Sequence, residues 1–109
     1  MLFMFKISMP VESGNAQSRK GFDALQRILA EQKPEAVYFA TDAGKRTAFM
    51  FKSMTDLSQL PAIAEPWFLA FNAKVELHPA MTLEDLKNAT PGIESAVAKY
   101  GRAVRAAGA

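Results

Sequence analysis

Residues 36–53, AVYFATDAGKRTAFMFKS, predict a β-hairpin in the middle of the chain. Its two halves, 36–41 and 47–53, are rich in β-branched and aromatic residues, which favour strands. Between them, DAGK at 42–45 is typical of a turn, because Gly44 accepts the left-handed backbone conformation that tight hairpin turns need. With a hairpin in the middle of the chain, the order of strands and helices before and after it identifies the fold.

Both flanks of the hairpin alternate extended and helical segments. The period of the apolar residues separates the two types, since side chains repeat every two residues in a strand and about every 3.6 in a helix. Pro61 and Pro66 each lack a backbone donor and predict a kink or two short helices in the second helical region. The predicted segments are a strand (2–9), a helix (16–32), the hairpin, a helical region (57–71) and a fourth strand (73–79).

The C-terminal part of the chain is predicted to be helical, from residue 82 to about 106. Residues 82–85, TLED, have the form of a capping box and predict the start of a short helix. Thr90-Pro91 predicts a new, last helix, because proline is favoured at the first helical position. The apolar face of that last helix is Ile93, Val97, Tyr100 and Val104.

The order βαββαβ is that of the ferredoxin-like α+β fold. This fold has a four-stranded antiparallel sheet of order 4-1-3-2 with both main helices on one face. We therefore predict a single domain over 1–109, with a core at 1–80 and a C-terminal helical extension at 82–106. A different α+β sandwich built from the same elements is the alternative. A Rossmann or P-loop unit is not indicated, because no glycine-rich phosphate motif follows a strand.

Composition limits the possible functions. The chain has 109 residues, of which 50% are hydrophobic and 22% charged, enough for one buried core. It has no cysteine, which excludes disulfides, thiolate metal sites and a cysteine nucleophile. A net charge of +2 is too small to indicate nucleic-acid binding. No targeting or membrane-spanning stretch is evident, so we expect a cytoplasmic protein without nucleic-acid or membrane partners.

Parity along the strands divides the sheet residues between the two faces. The set assigned to the face covered by helices is Phe3, Phe5, Ile7, Val37, Phe39, Phe49, Phe51, Val75 and Leu77. The set assigned to the other face is Leu2, Met4, Lys6, Ser8, Tyr38, Ala40, Ala48, Met50, Lys52, Lys74, Glu76 and His78. So many apolar side chains on a face without helices predict an interface, and two-fold homodimers are the commonest assembly.

Three stretches carry a resemblance to a known group of proteins. They are MLFM at 1–4, the helical region with Leu57, Trp67 and Phe68, and VELHPAMT at 75–82. With the element order, the chain resembles the small dimeric α+β barrel superfamily and, within it, a short bacterial family of unknown function. The resemblance implies two ferredoxin-like protomers packed sheet against sheet. Relatives in that superfamily include cofactor-independent monooxygenases, lactone isomerases, haem-degrading enzymes and proteins with no known reaction, so the fold alone does not select an activity.

His78 is the candidate general base, because imidazole titrates near neutral pH and Glu76 shares its face of the strand. The alternative is an interface histidine without a chemical role. His78 is the one histidine of the chain, so no histidine cluster can bind a metal within one protomer, and we expect no metal or other cofactor.

Lys6, Tyr38, Met50 and Lys52 are the candidate ligand-binding residues on the same face. An excess of lysine in an enclosed cavity favours an anionic ligand. The sequence thus predicts a homodimer that binds a small, possibly anionic ligand between the sheet and its partner. A cofactor-independent monooxygenase- or isomerase-like enzyme is one alternative, and a purely structural dimer is the other.

Overall fold

A computed structural model describes residues 1–12 and 18–101 of the chain. Over these residues the elements follow the predicted order, with a short 3₁₀ turn before the second helix and a widened π-helical turn after the third. Their bounds are β1 (Leu2–Ser8), α1 (Arg19–Gln32), β2 (Ala36–Asp42), β3 (Lys45–Ser53), the 3₁₀ turn (Leu57–Gln59), α2 (Leu60–Phe71), β4 (Lys74–Pro79), α3 (Leu83–Ala96) and the π-helical turn (Val97–Gly101).

The four strands form one antiparallel sheet of order β2-β3-β1-β4, which is the predicted 4-1-3-2 order taken from the other edge. β1 lies in the centre of the sheet, where Phe5 is opposite Met50 of β3 and Leu77 of β4. The βαββαβ pattern and the ferredoxin-like α+β fold class are therefore confirmed.

The hydrophobic core lies between one face of the sheet and helices α1 and α2. Phe5, Ile7 and Met50 point to this side and are fully buried, and Trp67 and Phe71 of α2 pack with them. Burying an aromatic or aliphatic side chain of this size is worth about 1.5–3 kcal/mol each. The apolar stretch 67–71 was expected in the core from its helical spacing; this holds for Trp67 and Phe71, whereas Phe68 and Leu69 are exposed.

The turn between β2 and β3 sets the register of the hairpin. Asp42 is paired with Lys45, so the loop has only two residues, Ala43 and Gly44. Both have positive φ, 51° and 74°, as a two-residue hairpin turn of the mirror-image type requires. Glycine adopts this conformation freely, whereas alanine does so at a cost.

The predicted facing of β3 is wrong. Ala48 and Met50 point into the core with 0% exposure, and Lys52 lies on that side as well, while Phe49 and Phe51 lie on the opposite face. Both faces of β3 are apolar, so the alternation of side chains within this strand does not show which face is buried. The prediction placed the larger rings of Phe49 and Phe51 in the core. The register with β1, in which Met50 pairs with Phe5, decides the matter.

The prolines bear on two further expectations. Of the kink or two short helices predicted around Pro61 and Pro66, a division into two helices is not found within α2: Pro61 falls in its first turn, where no backbone donor is needed, and Pro66 lies inside it. Likewise Pro91 does not begin a new helix but lies within α3. The predicted start of α1 at residue 16 and the predicted helical residues 102–106, with Val104, lie outside the described residues.

Candidate functional site

One face of the sheet is not covered by α1 or α2, and we call it the open face. Its apolar centre is formed by Met4 of β1 and by Phe49 and Phe51 of β3, all half-buried. Tyr38 of β2 is paired with Phe49 and is 68% exposed. The members of the open face include Leu2, Met4, Lys6, Ser8, Tyr38, Ala40, Asp42, Phe49, Phe51, Lys74, Glu76 and His78.

A chain of charged groups runs across the open face beside the apolar centre. Lys6 Nζ lies 2.5 Å from Asp42 Oδ2 and 3.9 Å from Glu76 Oε2. Glu76 also contacts Lys74 at 3.1 Å, and the Nε2 atom of His78 is 3.9 Å from Glu76 Oε2. Glu76 is thus shared by three basic side chains, and its two carboxylate oxygens are directed to different partners. The cluster contains two lysines and two carboxylates, so it carries little net charge when His78 is neutral.

The charged contacts shift the protonation of two members in opposite directions. The hydrogen bond from Lys74 lowers the pKa of Glu76, and the charges of Lys74, Lys6 and His78 act in the same direction against a small desolvation effect. The hydrogen bond to Asp42 raises the pKa of Lys6, with partial desolvation opposing it. The lowered pKa favours the ionised form of Glu76.

Of the six site residues predicted from the sequence, four lie on the open face. The cluster of charged groups contains Lys6, Glu76 and His78. Tyr38 lies on the edge strand of the same face. Met50 and Lys52 do not join them. Met50 is in the core, and Lys52 donates a hydrogen bond of 2.6 Å from Nζ to the backbone oxygen of Gln32 on the helix-covered side.

Asp42, Phe49 and Phe51 are among the members of the open face that the sequence reasoning missed. The signal that identifies them is the two-residue turn at Ala43-Gly44. A two-residue loop pairs residues of opposite number parity, so the even-numbered residues of β3 share the face of Val37, and the odd-numbered ones share that of Tyr38.

A second concave surface lies elsewhere in the fold. It is an apolar groove of about 340 Å³ between the start of α1 and strands β2 and β3, with Phe22, Leu25 and Phe39 in its wall and Arg46 at its rim. Among the described residues no group of three or more histidine or carboxylate side chains is arranged to bind a metal ion. No helix in the described ranges has the length and hydrophobicity needed to cross a membrane.

The fold and the open face together define a small α+β domain of ferredoxin-like topology in which, over the described residues, one face of the sheet is not covered by α1 or α2. The model of the family described as "Domain of unknown function (DUF3303)" matches residues 1–93, from β1 into α3. The chain belongs to this family. A search of curated proteins finds no match.

Proposed function

We propose that the protein is a homodimer of the dimeric α+β barrel type, in which the open faces of two protomers pack against each other and enclose a small ligand. The observation that supports this most strongly is the row of Met4, Phe49 and Phe51, which is more apolar than the sequence suggested. Contiguous apolar surface of this kind on a small domain marks an interaction site. The charged side chains beside this row, which include Lys6, Glu76 and His78, then provide polar groups inside the dimer.

The corrected facing of β3 also changes the ligand that fits best. The case for an anion depended on Lys52 adding to the positive charge, but Lys52 is engaged on the other side of the sheet. Asp42 joins the cluster instead and pairs with Lys6. A ligand with an apolar body and a hydrogen-bonding group for Tyr38 or His78 fits this surface better than a strongly charged one. A weakly anionic group remains compatible with Lys6.

Sedimentation equilibrium with an open-face variant tests the dimer. We expect a dimer at micromolar concentration. We expect Phe51→Glu to weaken this dimer at least tenfold, because the new carboxylate is then buried against Met4 of its own protomer and against Met4 of the second protomer. Phe68→Glu is the matched control, since Phe68 is an exposed phenylalanine of α2 outside the open face. A monomeric wild-type protein, or a Phe51→Glu dimer as tight as the control, would refute the proposal.

Binding of 8-anilinonaphthalene-1-sulfonate, a fluorescent probe with an apolar body and one anionic group, tests the ligand site. We expect saturable binding that weakens in Tyr38→Ala, which removes the exposed ring of the open face. Phe39→Ala is the control, because Phe39 follows Tyr38 on the same strand but lines the groove on the other side. Weakening by Phe39→Ala alone would place the probe in the groove and argue against the open face.

The alternative of a monooxygenase- or isomerase-like enzyme is supported by one observation, the arrangement of Lys6, Glu76 and His78 on a single face. In such an enzyme His78 would accept the proton, since a carboxylate with a lowered pKa is a weak base. Glu76 would lie beside the imidazole, with its Oε2 atom 3.9 Å from Nε2. The purely structural dimer requires only the apolar row, and it predicts no probe binding at the open face.

A further inference from the structure

The C-terminal helix carries an apolar stripe that is exposed in the described chain. α3 begins with a complete capping box, in which the side chains of Thr82 and Asp85 each accept a hydrogen bond from the other's backbone N–H. Every residue of α3 except the half-buried Ala89 is exposed, and Leu83 reaches 84%. The radius of gyration is 18.9 Å, whereas a compact chain of this length has about 13 Å. The helix therefore projects from the domain with its apolar side chains in solvent.

The stripe has the spacing of a coiled-coil seam. Its members follow one another in alternating steps of three and four residues: Leu83, Leu86, Thr90, Ile93, Val97 and Tyr100. This spacing keeps the four members within α3 on one side of that helix, and Val97 and Tyr100 follow in the π-helical turn. Pro91 and Gly92 fall on the opposite side of α3, so the missing donor and the missing side chain do not interrupt the stripe. A second helix is the partner that packs along such a seam.

We propose that α3 pairs with the α3 helix of a second copy of this chain, and that the two helices run antiparallel. In the middle of such a pair Thr90 lies opposite the partner's Ile93, and each Leu86 lies opposite the partner's Val97. The two-fold axis repeats each of these contacts. Leu83 at one end then meets the widened last turn of the partner helix.

The residues that flank the seam support a second copy as the partner and the antiparallel direction. In this register Lys87 lies beside the partner's Glu94 on one flank, and Ala89 lies beside the partner's Ala96 on the other. Each protomer thus supplies both members of the opposite-charge pair, and the alanines allow the helices to approach closely. In a parallel pair Glu94 would face the partner's Ala89 and Lys87 would face the partner's Thr82, so the charge complementarity would be lost.

This contact goes beyond the proposed open-face dimer, because it involves a helix rather than the sheet, and each can be disrupted without touching the other. Cross-linking tests it directly, since the chain has no cysteine of its own. In the double variant Ala89→Cys/Ala96→Cys, we expect mild oxidation to give a covalent dimer. Two cysteines seven residues apart on one helix are separated by about 10 Å, too far for a disulfide within one chain.

The matched control is Asn88→Cys/Ser95→Cys, which has the same separation on the opposite side of α3. We expect it to remain mainly monomeric on a non-reducing gel under the same oxidation. Equal cross-linking of the two variants would overturn the proposal. It would leave the effect of Phe51→Glu intact, so failure of the helix pair and failure of the open-face dimer are distinguishable.

A charge exchange supplies the second test. In the Phe51→Glu background, where the open-face contact is weakened, we expect Lys87→Glu to weaken the remaining self-association roughly five- to tenfold, because it replaces two attractive pairs by two repulsive ones. Glu94→Lys is expected to do the same, and the double exchange is expected to restore the dissociation constant of that background. Glu84→Lys, on the outer side of the helix, is the control. A double variant no tighter than the single ones would refute the antiparallel pair.

Discussion

Gln32, at the end of α1, connects the two helices to each other and to the sheet. Its side-chain oxygen accepts a hydrogen bond of 3.2 Å from the indole N–H of Trp67, and its side-chain nitrogen donates one of 2.8 Å to the carbonyl of Ile63. Its backbone oxygen accepts the hydrogen bond from Lys52. Because Trp67 is fully buried, no water can replace Gln32 as the acceptor of the indole hydrogen.

We therefore expect Gln32→Met to lower the free energy of unfolding by about 2–3 kcal/mol. A buried donor left without a partner costs about 1–3 kcal/mol, and the lost bond to Ile63 adds about 0.5–1.5 kcal/mol. Methionine keeps the length and volume of the side chain, so little of the effect comes from a cavity. The corresponding decrease in melting temperature is about 8–20 °C.

Urea denaturation followed by far-ultraviolet circular dichroism measures the effect, with Gln26→Met on the exposed side of α1 as the matched control. The double variant with Trp67→Phe separates the hydrogen bond from general packing, because removing both partners should cost less than the sum of the single changes. A Gln32→Met protein within about 0.5 kcal/mol of wild type, or strictly additive changes, would refute the reasoning.

Three further predictions concern the turn and the open face. Ala43→Asn is expected to stabilise the fold by about 0.5–1 kcal/mol, measured as a higher melting temperature, because asparagine tolerates the positive φ of this position better than alanine. The lowered pKa of Glu76 means that its ionised form stabilises the fold above its ordinary value of 4.5 and that this stabilisation is lost as the pH falls through the lowered value. The urea midpoints of wild type and Glu76→Gln should therefore converge on acidification; a constant difference would contradict this. His78→Ala should change the melting temperature by less than about 2 °C, since the imidazole is 54% exposed; a larger decrease by differential scanning fluorimetry would make His78 a structural residue.

The sequence was sufficient for the element order and the sheet order, but β3 shows where pattern reasoning fails. Alternation predicts a face only when one face is polar, and in β3 both Phe49–Phe51 and Ala48–Met50 are apolar. The assignment then depends on a partner strand. The two-residue turn contained that information, because it fixes which residues of β2 and β3 share a face.

Other features of the fold had no local signal at all. Gln32 is one glutamine among the polar residues of α1, and its role depends on Trp67, which is 35 positions later in the chain. The continuity of α3 through Pro91 was hidden for a different reason. Proline inside a helix removes one backbone hydrogen bond, and in the exposed α3 water can bond the carbonyl that loses its donor; the sequence alone does not reveal that this helix is exposed.

The position of β1 has a consequence for the synthesis of the protein. β1 is the first of the four strands to be synthesised, yet its two neighbours in the sheet are β3 and β4, and β4 ends at Pro79. At about 5–20 residues per second, roughly 4–14 s pass between translation of Ser8 and of Pro79. During this interval Phe5 and Ile7, which have no exposure in the finished fold, lack their final neighbours. The nascent chain thus presents the apolar side chains of β1 to its surroundings or to a chaperone until β4 has been made.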